Sequence, residues 1–190
     1  MCAGWPSPAS CLKTWYAILW SAASSTPTPR AARRRTRVAS PEFSLSVQFA
    51  SGARDLPSRA QVRRWVAAAL EQPAQVTVRI VDADEAQALN QDYRDKPYVP
   101  NVLTFEYGEI GQDESGFSVL GGDVVICAPV VEREAREQGK PLSSHYAHMV
   151  IHGVLHLQGY DHIEPAEADN MESREAAILK RFHLPNPYLS

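Results

Sequence analysis

By its apolar spacing this chain is an α+β protein of α/β-like character, a small mixed β-sheet of about four strands covered by helices. Two observations carry that expectation. Short runs in which apolar and polar residues alternate recur between residues 43 and 127, and longer runs at helical spacing separate them and then take over the final third.

Phe43, Leu45, Val47 and Phe49 fall at every second position, the mark of a strand with one buried face. A helix then starts near Ser58 and ends before Pro73, because proline pushes the residue ahead of it out of the helical region. Its inward face is Val62, Trp65, Val66 and Ala69, which makes Trp65 a core residue. Val76, Val78 and Ile80 repeat the alternation, and Ala83 to Tyr93 forms a second helix with Asp82 as its N-cap. Asn101 to Tyr107 and Val119 to Cys127 are two further strands, joined by a polar loop containing Gly111, Asp113, Ser115 and Gly116. Three helices complete the chain, over Pro129 to Gln138, Ser143 to Gln158 and Pro165 to Phe182. In the last, Glu164, Glu167, Asp169 and Glu172 near the start and Lys180 and Arg181 at the end complement the macrodipole, and Pro165 suits the first turn.

A length of 190 residues supports one full hydrophobic core and is short for two. Apolar residues at 44% and charged residues at 22% exclude the disordered and membrane classes, and no repeat is visible. Cys2, Cys11 and Cys127 have no paired spacing, so they build neither a disulfide framework nor a thiolate metal site, and a reducing, cytoplasmic setting is expected. Charge divides the chain. Residues 1–41 hold six of the 19 Lys and Arg and no Asp or Glu, which leaves 13 basic against 22 acidic residues, a net −9, over residues 42–190.

Residues 1–41 are expected to be an unstructured basic extension, rich in Ser, Ala and Pro, with Thr26-Pro27-Thr28-Pro29 of turn or polyproline character. A translation start set too far upstream, a targeting segment and a basic tail remain open for it. Its apolar run, Trp15 to Trp20, is too short to span a membrane. Residues 42–190 are expected to form a single catalytic domain. Its acidic balance speaks mildly against a nucleic-acid partner unless positive charge is concentrated locally or supplied by a metal.

The chemistry gathers in His152-Gly-Val-Leu-His156-Leu-Gln-Gly159-Tyr-Asp161-His162. Four residues on a helix advance about one turn, so His152 and His156 share a face and can bind one ion. Gly159 stands where the helical pattern stops; glycine takes the left-handed conformation there without steric cost, and the chain can turn back to deliver His162. Three imidazoles on one tetrahedral zinc leave a fourth position open, the arrangement of a catalytic site, and such an ion lowers the pKa of its water to roughly 7. His145 and His148 are core residues or partners of the ligands, and His183 is a surface residue. Asp161 either orients His162 or satisfies backbone amides in the turn.

His-x-x-x-His-x-x-Gly-x-x-His is also the ligand pattern of metzincin proteases, which place a Glu general base after the first His. Gly153 holds that position here, with no carboxylate in its place. Peptide hydrolysis would lose its base while the metal stayed. Phosphodiester cleavage depends more on charge neutralisation and in-line positioning, which tilts the reading toward phosphate chemistry.

Several blocks resemble one family. Gly122-Asp123-Val124-Val125-Ile126-Cys127, Glu137-Gln138-Gly139-Lys140-Pro141, the run from Ala147 to His162 and the terminal Asn186-Pro187-Tyr188 closely resemble the YbeY family of bacterial rRNA maturation endoribonucleases. Leu89-Asn90-Gln91-Asp92-Tyr93-Arg94 followed by Asn101-Val102-Leu103-Thr104-Phe105 is similar to its second signature, and the resemblance spans 44–188. It implies that His152, His156 and His162 are zinc ligands and that Arg94 occupies the place of the family's functional arginine. A guanidinium suits phosphate as a permanently charged, planar fork of donors. Pro100 departs from the Thr or Ser usual before the Asn-Val-Leu-Thr-Phe run, so no hydroxyl comes from this position.

The implied function is a zinc-dependent, single-strand-specific endoribonuclease. It would act on the 3′ end of 16S rRNA and in ribosome quality control, with small ribosomal subunit components as partners, in the cytoplasm and away from membranes. The alternatives are a pre-ribosome-binding assembly factor with a mainly structural zinc and, behind it, a metalloprotease.

Overall fold

The computed structural model, which describes residues 41–162 and 164–188, turns each alternating run into a strand and each 3.6-period run into a helix. In chain order these are β1 (Phe43–Ala50), α1 (Arg59–Ala69), β2 (Ala74–Val81), α2 (Ala83–Arg94), β3 (Val102–Gln112), β4 (Ser118–Cys127), α3 (Ala128–Glu137), α4 (Leu142–His156) and α5 (Pro165–Lys180). The four-stranded sheet has the order β1-β2-β4-β3. β1, β2 and β4 are parallel and β3 runs antiparallel to β4 at one edge, so the sheet is mixed, as expected.

Side chains alternate across the pleat and build two cores. Val76, Val78 and Ile80 of β2 and Val124 and Ile126 of β4 face α1, α4 and α5, where Val62, Trp65, Val66, Tyr146, Val150, Ile151, Val154 and Met171 meet them. Val81, Leu103, Val125 and Cys127 face the other way, against Ala86 and Leu89 of α2. Trp65 is a core residue, as its spacing indicated.

Ser58 caps α1 in a reciprocal capping box with Gln61. Asp82 occupies the N-cap position of α2 without capping it: its carboxylate accepts hydrogen bonds from Ser51 Oγ at 2.5 Å and Gly52 N at 3.3 Å, tying the loop after β1 to the end of β2. At α5 only Glu167 lies in the first turn, so the macrodipole account does not extend to Asp169 and Glu172. β3 runs to Gln112, beyond the expected Tyr107, with register shifts at Glu106/Gly108 and Glu109/Gly111. The basic extension expected over 1–41 falls, but for Pro41, outside the described residues. No helix among the described residues is long and apolar enough to cross a membrane.

Candidate metal centre

α4 lies close on the sheet because a glycine on each side leaves room for a larger residue of the other: Gly153 of α4 meets Val124, and Gly122 of β4 meets Leu157. A Cβ on Gly153 would sit 2.5 Å from Val124 Cγ1 and 3.4 Å from Thr104 Oγ1. A Cβ on Gly122 of β4 would sit 2.7 Å from the Phe105 carbonyl and would collide with Leu157 at the end of α4. The position where a metzincin carries its catalytic Glu is therefore pressed against the sheet, with no room for any side chain.

The helix stops in a Schellman motif: Gly159 N donates to the His156 carbonyl at 2.9 Å and Tyr160 N to the Leu155 carbonyl at 3.2 Å, with Gly159 at φ +84°. The turn is tied to the end of α1. Gln158 Nε2 donates to the Ala69 carbonyl at 2.9 Å, its Oε1 accepts from Glu71 N at 2.7 Å, and the Tyr160 hydroxyl donates to Glu71 at 3.1 Å. Asp161 Oδ1 accepts from the His162 amide at 2.7 Å, the backbone-satisfying role of the two considered for it.

This turn brings His162 back to the helix face. Ring centroids lie 4.6 Å apart for His152 and His156, 5.0 Å for His156 and His162, and 5.5 Å for His152 and His162. One ligating nitrogen from each lies within 4.8 Å of the other two, a group able to hold a metal ion. The Nε2 atoms of His152 and His156 face each other at 3.1 Å. Two nitrogens about 2.0–2.1 Å from a shared tetrahedral zinc would stand roughly 3.3 Å apart, so the donor set fits such an ion. Burial, and then the neighbouring imidazoles of His152 and His162, push the His156 pKa down to about 4, which keeps the ring in the neutral form that ligates metal. His162 is exposed, so the cluster opens to solvent on that side.

Behind the cluster stands Glu175 of α5, fully buried. It accepts hydrogen bonds from His152 Nδ1 at 2.8 Å and His148 Nε2 at 2.9 Å, and from the Tyr188 hydroxyl. Burial works against its charged form, yet the bonds from His148 and His152 outweigh it and hold the carboxyl down at about 2. Burial and the adjoining carboxylate push the Tyr188 hydroxyl up. Spacing gave no role to Glu175, though the signal was present: it occupies the inward stripe of α5 with Met171, Ile178 and Leu179, where an acid is out of place. His148 is a partner of this group, and His145 is a core residue bonded to Glu134 at 2.8 Å. His183 is exposed, as read.

Arg94 is not brought to the histidines by any contact. It is exposed in the last turn of α2, a helix that packs on β4 and α3 over the opposite face of the sheet from α4.

The model of the family described as Endoribonuclease YbeY matches residues 49–183. The chain belongs to the endoribonuclease YbeY family. An endoribonuclease YbeY of Thiobacillus denitrificans is 77% identical over 150 residues, which cover 79% of this chain and 99% of that protein. That of Nitrosospira multiformis is 48% identical over 173 residues, covering 87% and 92% respectively. A solution structure of a Thermotoga maritima protein aligns with 77% of this chain and 99% of its own at 22% identity and a TM-score of 0.46. The YbeY match takes in the histidine cluster, Glu175 and Arg94, and stops short of Tyr188.

Proposed function

We propose that residues 42–190 form a single-domain, zinc-dependent, single-strand-specific endoribonuclease that acts in maturation of the 3′ end of 16S rRNA and in ribosome quality control. Hydrolytic cleavage of RNA is the activity that membership of the YbeY family brings. The observation that carries the metal assignment is the convergence of His152, His156 and His162 at the end of α4, with ligating nitrogens within 4.8 Å of one another and one ring exposed. Histidine-only ligation favours zinc over magnesium or calcium, which take oxygen ligands. Bound there, zinc would supply Lewis acidity toward a phosphoryl oxygen and a water of lowered pKa.

The chain's own part is positioning. The three imidazoles would hold the ion where the cluster opens to solvent at His162, within reach of an RNA strand. Arg94, an exposed guanidinium, is assigned to gripping phosphate of the bound strand. Small ribosomal subunit components are the proposed partners and the cytoplasm the proposed location.

The test is RNA cleavage by the purified full chain with metal content quantified, beside His156→Ala and Arg94→Ala and with a casein control. Cleavage is expected to fall at least about 100-fold in both variants, with zinc lost only from the histidine variant. Equal RNA cleavage by all three proteins would overturn the assignment and leave a pre-ribosome-binding role in its place.

A further inference from the structure

Among the described residues the buried polar side chains are Asn90, Ser144, His145 and Glu175, and Glu175 is the carboxylate of the set, at 0% exposure. Burying a carboxylate is costly unless its lone pairs are engaged, and an apolar residue of similar volume is often as stabilising or more so. A Leu or Met at 175 would complete the stripe of Met171, Ile178 and Leu179. Core stability therefore does not account for this acid.

Its hydrogen bonds do. His152 Nδ1–H donates to Oε1 at 2.8 Å, which leaves the Nε2 lone pair facing His156 Nε2 across 3.1 Å. The opposite tautomer would set an Nε2–H into the ligand cluster and an unprotonated Nδ1 against a carboxylate. The other oxygen is held by His148 Nε2 at 2.9 Å and by the Tyr188 hydroxyl. Tyr188 closes the Asn186-Pro187-Tyr188 segment, which is anchored by Lys140 Nζ donating to the Pro187 carbonyl at 3.1 Å and by Tyr188 N donating to Asn186 Oδ1 at 3.0 Å. The Tyr188 ring meets His148 edge-on with centroids 5.7 Å apart.

We propose that Glu175 is the positioning residue of the metal centre, fixing His152 as its Nδ1–H tautomer, and that Tyr188 and His148 clamp the carboxylate in the orientation this requires. The C-terminal segment thereby acts on the site through two hydrogen bonds in series. This rests on the metal reading above for its consequence, but the tautomer itself is a property of the protein alone. His148, His152 and Glu175 also have atoms close enough to share a second ion. Their direct contacts of 2.8 and 2.9 Å are hydrogen-bond distances and favour the bonded network.

The full chain, Glu175→Gln and Tyr188→Phe are compared by three measurements. Zinc affinity and stoichiometry come from competition with a chromogenic chelator, the protonated nitrogen of His152 from long-range 1H–15N spectra of the metal-free protein, and folding from its thermal midpoint. Glu175→Gln is expected to weaken zinc binding by about 10–100-fold and to mix the His152 tautomers, since outer partners of ligating histidines carry effects of that size. Tyr188→Phe is expected to give a smaller change of the same sign. An unchanged tautomer and a zinc affinity within about twofold of wild type in Glu175→Gln would overturn the proposal, as would two zinc ions per wild-type chain. If Glu175→Gln does not fold, Tyr188→Phe decides by the same two readouts. A wild-type chain that takes up no zinc, with the tautomer still shifted in the variants, overturns the metal reading and leaves the positioning of His152 standing.

Discussion

Gly153 excludes one chemistry and permits one geometry for the same reason. With a Cβ 2.5 Å from Val124 Cγ1, even alanine must displace the valine or lift the helix. Gly153→Ala is expected to destabilise the fold by about 1–3 kcal/mol, the usual range for overpacking, as read from denaturant melts. Gly153→Glu, which restores the protease-like carboxylate to the motif, should destabilise further and acquire no casein hydrolysis. Casein cleavage by that variant would mean that the helix can rotate the side chain to the metal face. The missing acid was visible in the sequence; that the position is sterically closed was not, because the closing atom belongs to Val124, some thirty residues away.

The turn after α4 is the element on which the third histidine depends. Gly159 at φ +84° ends the helix, and a side chain there would cost about 1–2 kcal/mol in the left-handed region. Gly159→Ala should lower the thermal midpoint and weaken zinc binding through His162 while leaving His152 and His156 in place, checked by chelator competition on the folded variant. This turn was legible because one glycine between two strong signals has a local cause. The length of β3 was not. Glu106, Gly108, Glu109 and Gly111 show no apolar alternation, and what extends the strand to Gln112 is backbone pairing with Ser118 to Gly122. Asp82 likewise had the right residue type for a cap, but its carboxylate is drawn to Ser51 and Gly52, which sequence distance conceals.

For the folded domain as a unit, acid should be destabilising. Burial lowers the pKa of His145, and burial with the adjacent imidazoles takes His156 down to about 4. The unfolded chain binds protons at these rings near 6.5, whereas the folded protein resists. Below pH 6.5 the unfolded state therefore takes up more protons, and stability falls as pH drops toward 4. Glu175, held at about 2, extends the same sign below its ordinary 4.5. The metal-free protein is expected to lose on the order of 1 kcal/mol, about 2–4 °C in thermal midpoint, between pH 7 and 5. A midpoint that rises over that interval would contradict the neutral, buried state of these histidines. Zinc added at pH 7 should raise the midpoint, and the gain should shrink at pH 5 as protons compete for the ligands.

Periodicity, glycine placement and the spacing of His152, His156 and His162 are local properties, and from them the mixed sheet, its covering helices and the convergence of the three histidines could be read directly. The partner of His152 could not. Glu175 lies 23 residues further on, and its neighbour Tyr188 arrives from the far end of the chain. Only the packing of α5 against α4 decides that a buried carboxylate meets an imidazole nitrogen, because no local rule sets which side chains of two helices come to face each other.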